Sequence, residues 1–208
     1  MELLDSEYRI NKAAGVPPFE GMSVQPGNLA NEDPWYSVRR ARWKPDRVRL
    51  LLIAESAPDD GGDIANRRFF YDDALTSRDG LFREVVRALF DNPPLKSGPN
   101  AKTPWLEKLK ADGLFLIDLA TVPVNSISSA ERAAALRRNI EATITLAKEL
   151  QPDGVVLVKQ NVFELLHGPL RQAGLPLLHD EFIPFPGSGQ QRRFRERFGY
   201  VLDMAFRH

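Results

Sequence analysis

The stretch LLIAESAPDD, Leu51 to Asp60, sets an apolar run directly against an acid, a hydroxyl and a proline. Extended backwards, the run from Val48 to Ala54 is apolar throughout except for Arg49. A continuous run without polar alternation fits a strand buried on both faces, as in a parallel sheet covered by helices. Leu114 to Leu119 (LFLIDL) and Val155 to Val158 (VVLV) read the same way, and Leu177 to Phe185 is a weaker fourth.

Helical patterns lie between these runs. Asp79 is placed to cap a helix whose apolar face is Leu81, Phe82, Val85, Val86, Leu89 and Phe90, the three-and-four spacing of one helix face. Ser128 and Glu131 form a capping-box pattern that opens a helix to about Leu150. A short helix is expected over Asn161 to His167. A last one starts near Gly189, with Phe194, Phe198, Val201 and Leu202 inward. Alternating strands and helices argue for a parallel sheet with helices on both faces. The expected fold is thus a three-layer α/β sandwich with a four-stranded parallel sheet. Residues 1 to about 46 are dense in Pro, Gly and Asn, which punctuate rather than build. They read as an irregular arm packed on the core of one domain, 1–208, with a short helix over Met1 to Ala14.

Composition bounds the function. The 208 residues are 43% hydrophobic and 27% charged, enough for one α/β domain with a real core. No run reaches the roughly 18 apolar residues of a membrane span. The opening MELLDSEYRI lacks the basic-then-apolar layout of a signal peptide, so a soluble, cytoplasmic monomer is expected. Cysteine is absent and only His167, His179 and His208 are present. Thiolate zinc sites and cysteine-held iron–sulfur clusters are excluded, and no cofactor is expected. The 28 basic and 28 acidic residues balance, but RRARWKPDRVR (Arg39 to Arg49) and QQRRFRERF (Gln190 to Phe198) are basic and interleaved with aromatics. Such stretches are solvated surface, or patches that track phosphates while rings stack on bases.

Ligands of open α/β sheets bind beyond the carboxyl ends of the strands, so those residues carry the chemistry. They are Glu55, Ser56 and Pro58 after the first strand, Asp118 to Asn125 after the second, Lys159 to Asn161 after the third, and Pro184 to Gln191 after the fourth. RRFFY (Arg67 to Tyr71) adds three rings in a row. Glu55 binds turn amides or serves a ligand. Asp118, inside an apolar run, is a buried partner of a basic residue or a reader of ligand groups; an unpaired buried carboxylate costs several kcal/mol, roughly, and Lys159 is the candidate partner. Phe69 and Phe70 are core or a stacking platform. Gly187-Ser188-Gly189 is a helix entry or a phosphate cradle. His179 is read as structural.

AESAP (Ala54 to Pro58) followed by RRFFY resembles the uracil-DNA glycosylase superfamily, in a bacterial branch with a Glu-Ser-Pro-Pro-like first motif and a later Phe-Phe-Tyr. The resemblance covers roughly residues 46 to 205. It implies a four-stranded parallel sheet and DNA bound across its carboxyl edge, with the target base flipped into a pocket. Glu55 and Ser56 would then position the attacking water. Phe69 or Phe70 would stack on the base. Asp118, Asn125 and Lys159 would meet its edge. Pro186, Gly187, Ser188, Gly189, Gln190, Arg192 and Arg193 would grip the backbone.

Two departures bear on activity. The base-reading position holds Asp118 where superfamily members active on uracil use an Asn, and a carboxylate only accepts hydrogen bonds. The last motif, Ile183-Pro184-Phe185-Pro186, keeps the prolines and lacks the histidine. A DNA glycosylase, a non-catalytic DNA-binding protein and a nucleotide- or small-molecule-binding protein all remain as readings.

Overall fold

The computed structural model describes residues 32–206. Helix α1 (Pro34–Arg42) leads into strand β1 (Leu50–Ala54), and helices α2 (Gly80–Leu89) and α3 (Thr103–Ala111) precede β2 (Leu114–Asp118). Helices α4 (Ser129–Arg138) and α5 (Ile140–Leu150) lead to β3 (Gly154–Leu157), and α6 (Gln160–Gln172) and α7 (Gln191–Phe206) follow.

The three strands form an open parallel sheet in the order β2-β1-β3. Leu50 pairs with Leu114 on one side and Gly154 on the other; Ala54 pairs with Asp118 and Ile53 with Leu157. Every residue of the three strands is buried, as continuous apolar runs require. Each of Leu50, Leu51, Leu52 and Ile53, fully buried, contributes roughly 1.5–3 kcal/mol. Leu177 to Phe185 does not form a regular fourth strand. It meets β3 through two isolated parallel bridges, Val155 with Leu177 and Val158 with Ile183. Leu177 and Ile183 are twice as far apart along the chain as Val155 and Val158, so the segment leaves the ladder between its two bridges, and Pro184 offers no donor beyond the second.

The helices depart from expectation where local signals compete. The stretch up to residue 46 is not irregular throughout, because α1 occupies Pro34–Arg42. Asp33 caps it, accepting from Trp35 N at 2.8 Å, with Pro34 in the first turn. The Met1 to Ala14 helix and His208 lie outside the described residues. The Ser128–Glu131 capping box forms, but Asn139 divides the expected single helix into α4 and α5. Asp79 precedes α2 without capping it. Its carboxylate accepts from Thr76 N and Oγ1, and from Lys102 Nζ at 2.8 Å. The helix after β3 runs on to Gln172, past the expected end at His167. Between α3 and β2, Gly113 has φ +78, and a Cβ there would meet Arg47 O at 2.9 Å. Only glycine fits that turn.

The aromatic segment after β1 is pinned to the sheet. The Tyr71 hydroxyl accepts from Leu116 N at 2.6 Å and donates to Leu116 O at 3.2 Å, so a side chain completes the outer side of β2. Burial pushes the Tyr71 phenol well above its usual range. Tyr71→Phe should cost about 1–3 kcal/mol, the penalty for leaving buried backbone groups unsatisfied. Urea denaturation checks it: a loss under about 0.5 kcal/mol would mean that water replaces the hydroxyl.

Candidate functional site

The sheet order places Glu55 at its centre. It follows β1, the middle strand, while the chain leaves β2 on one side and β3 on the other. The crevice at such a reversal of strand order is where open α/β sheets bind ligands. A cleft of about 310 Å³ opens there, lined by residues that include Glu55, Ser56, Phe69, Phe70, Asp118, Asn125, Lys159 and Phe185. The residues expected to position the water, Glu55 and Ser56, and those expected to stack on the base or meet its edge therefore share one cavity.

Glu55 is 8% exposed and fully engaged. Arg132 donates through Nε at 2.7 Å and Nη2 at 2.6 Å, and Lys159 Nζ and Asn161 Nδ2 also donate to its two oxygens. Burial alone would raise its pKa. The hydrogen bonds from Arg132, Lys159 and Asn161 outweigh burial and hold the carboxyl below its ordinary value. Glu55 is therefore ionised and fixed in orientation. Arg132 was not among the expected site residues, and Asn161 was expected at a strand end without a role. Asn161 stands two places after Lys159 and carries a local signal, whereas Arg132 sits in the first turn of a helix that begins more than 70 residues after Glu55.

Lys159 pairs with Glu55, not with Asp118 as expected. Its backbone has φ 89 and ψ 144, a region that side-chain-bearing residues rarely enter. The amide N–H is held by Ile183 O at 2.8 Å. Such strain persists only where the surroundings over-determine it, and it concentrates at functional positions. Here it turns the chain from β3 into α6 while the amine reaches Glu55.

The basic partner of Asp118 is Arg40, whose Nη2 lies 3.0 Å from Oδ2; Arg40 also binds Glu32. Arg40 is 1% and Asp118 4% exposed. Asp118 also lines the cleft. Burial pushes the Asp118 carboxyl up to about 6, against the pull of Arg40. A carboxyl whose folded pKa is raised binds its proton more tightly in the folded state. Its ionisation therefore costs stability as pH rises from its ordinary value of 3.8 to about 6. The stability difference between wild type and Asp118→Asn should shrink or reverse across that window. A flat difference in denaturation series at stepped pH would contradict the raised value.

Phe69 and Phe70 are core side chains that also wall the cleft. Phe69 packs edge-on against Tyr36 and Tyr71, and Phe70 against Tyr71 and Phe82. Lys102, fully buried, donates to Phe69 O at 2.7 Å and to Asp79, which fixes this wall to the start of α2. Ser56 Oγ accepts from Val124 N at 3.4 Å, and Asn125 Oδ1 accepts from Asp59 N at 2.9 Å. Both tie the loops after β1 and β2 together.

The expected backbone grip lies outside the cleft lining, except that Phe185 beside it enters. Pro186 is buried, its carbonyl against Gly80. Gly187 N donates to Phe185 O and Gln190 N to Gly187 O, so one amide of the expected cradle and that of the residue after it are committed. Ser188 and Gly189 take positive φ to complete the turn. Arg192 is exposed and 3.5 Å from Glu196, while Arg193 stacks over Phe182.

The arginines of the Arg39–Arg49 stretch are also largely engaged by the protein's own residues. Arg39 stacks on Trp35, Arg40 is buried, and Arg42 and Arg47 pair with Asp73 and Asp153. His179 is structural, as read: Nε2 accepts from Leu157 N and Nδ1 donates to Glu181 O, each at 2.8 Å. Burial holds its pKa below the usual value, in keeping with this neutral tautomer. Among the described residues no three acidic or histidine side chains cluster as metal ligands, and no helix is long and apolar enough to cross a membrane.

No protein-family model, curated protein or solved structure matches the chain.

Proposed function

We propose that this chain is a DNA-binding protein of the uracil-DNA glycosylase-like kind, which takes a flipped base into the cleft and hydrolyses its bond to the sugar. The observation that carries the reading is Glu55: an ionised, oriented carboxylate at the end of the central strand, on an aromatic-walled cleft. Breaking the glycosidic bond builds positive charge on the sugar and negative charge on the base. Preorganised charge at such points is usually the largest catalytic contribution. Glu55 faces the sugar and steadies its cationic carbon. The bond to the base nitrogen breaks, the water oxygen adds to that carbon, and the proton the water gives up ends on the departing base. The strand order β2-β1-β3, with a further segment bridged to β3, supports the four-stranded arrangement that the sequence resemblance implies.

A second reading, DNA binding without excision, is favoured by one feature. Both Glu55 oxygens already accept hydrogen bonds, which leaves less capacity to hold a water. Base release from labelled single- and double-stranded oligonucleotides separates the two. The panel contains uracil, hypoxanthine, xanthine and alkylated bases, with Glu55→Gln beside wild type. Release by wild type and not by the variant supports excision. No release from any substrate, with salt-sensitive binding intact, overturns it in favour of binding alone.

A further inference from the structure

Two arginines that line the cleft remain without a counter-charge. Arg68 is half-buried and Arg78 exposed, and both belong to the cleft wall. Neither guanidinium pairs with a carboxylate among the described residues. Their neighbour Arg67 shows the alternative, because it pairs with Asp60 at 2.7 Å and Asp33 at 2.9 Å.

The acids of the cleft are already matched. Glu55 holds Arg132 and Lys159, Asp79 holds Lys102, and Asp118 shares Arg40 with Glu32. The second cation on Glu55 offsets the second acid on Arg40, so Arg68 and Arg78 stand as surplus positive charge. Guanidinium groups suit phosphate better than other anions, because the planar fork of N–H donors matches its oxygens. The cleft is also lined by the buried rings of Phe69 and Phe70 and by buried Asp118, a group that accepts from a base edge. Cation outside, rings within and an acceptor at depth is the layout a nucleotide presents in reverse.

We infer that Arg68 and Arg78 form a phosphate site at the mouth of the cleft, which holds the phosphate of the nucleotide whose base enters it. The phosphate belongs to a DNA strand or to a free mononucleotide; the chemistry is the same. The site rests on the reading of the cleft as a nucleotide site and does not need base release.

The test compares wild type, Arg68→Ala/Arg78→Ala and the control Arg47→Ala, whose arginine is paired with Asp153 and lies outside the cleft. Binding of a twelve-nucleotide single strand is followed by fluorescence anisotropy over a salt series. Thymidine and its 5′-monophosphate are followed by calorimetry. For a DNA phosphate, the double variant should bind the oligonucleotide about tenfold more weakly, and its log–log salt slope should fall by about 0.7, the value for one lost phosphate contact on a single strand. For a free nucleotide, the monophosphate should bind wild type more tightly than thymidine does, and the double variant should remove that preference. Either result supports the site. Equal binding of all probes by wild type and double variant overturns it, as does an equal loss in Arg47→Ala. Arginine-dependent binding without base release would count against excision alone. Neither guanidinium pairs with a carboxylate among the described residues, so unchanged circular dichroism is expected.

Discussion

Arg40→Met is expected to destabilise the protein by about 3–5 kcal/mol, the usual cost of removing one partner from a buried ion pair. Arg40 is 1% exposed and is the shared cation of Glu32 and Asp118. Methionine fills much of the same space, so the loss reports charge rather than volume. Without the guanidinium, two carboxylates face each other in a buried setting, and Asp118 would keep its proton to higher pH than about 6. The guanidinium also lies 5.0 Å from the Phe69 ring centre, so the same change loosens a wall of the cleft. Denaturant titration at neutral pH measures the loss. Arg40→Lys should recover part of it, because one ammonium keeps the charge but cannot fork to both acids. A loss below about 1 kcal/mol for methionine would mean that α1 is held by packing alone, through Tyr36 and Trp43.

The second large effect is on chemistry. Glu55→Gln should reduce base release by at least about a hundredfold, the scale of removing one preorganised electrostatic group. The same change should not weaken DNA binding. It removes negative charge beside Arg132 and Lys159, so affinity at low salt should hold or rise. That split between turnover and binding distinguishes a role in the reaction from a role in folding. The stability cost should be small, about 1 kcal/mol or less, because Arg132 and Lys159 are each about a third open to solvent. The acid side of the profile follows from the lowered pKa. Glu55 contributes stability above its ordinary value of 4.5 and loses it as pH falls through the lower folded value. Base release should therefore persist below the ordinary carboxylate range. A rate that already falls between pH 7 and 5, and falls equally in Asp118→Asn, would not be set by either carboxyl.

Much of the architecture was legible because its causes are local. Apolar runs without alternation mark β1, β2 and β3, and the Ser128–Glu131 pair marks the start of α4. Helix α1 was hidden by its polar composition, although Asp33 before Pro34 is a local start signal. Asp79 looked like a cap and is not one, because the distant Lys102 competes for its carboxylate. The segment from Leu177 to Phe185 carried an apolar pattern, but the chain leaves the ladder between its two bridges to β3.

The sequence by itself determined which residues reach the carboxyl edge of the sheet, since strand ends can be read from hydrophobic periodicity. Glu55, Asp118 and Lys159 were placed there by that reasoning alone. Only the tertiary structure decided who pairs with whom. Arg132 and Lys159 meet Glu55 across 77 and 104 residues, and Arg40 meets Asp118 across 78. Sequence spacing constrains neighbours within a turn or a hairpin. Contacts between separate elements depend on strand order and register, which only the folded sheet sets.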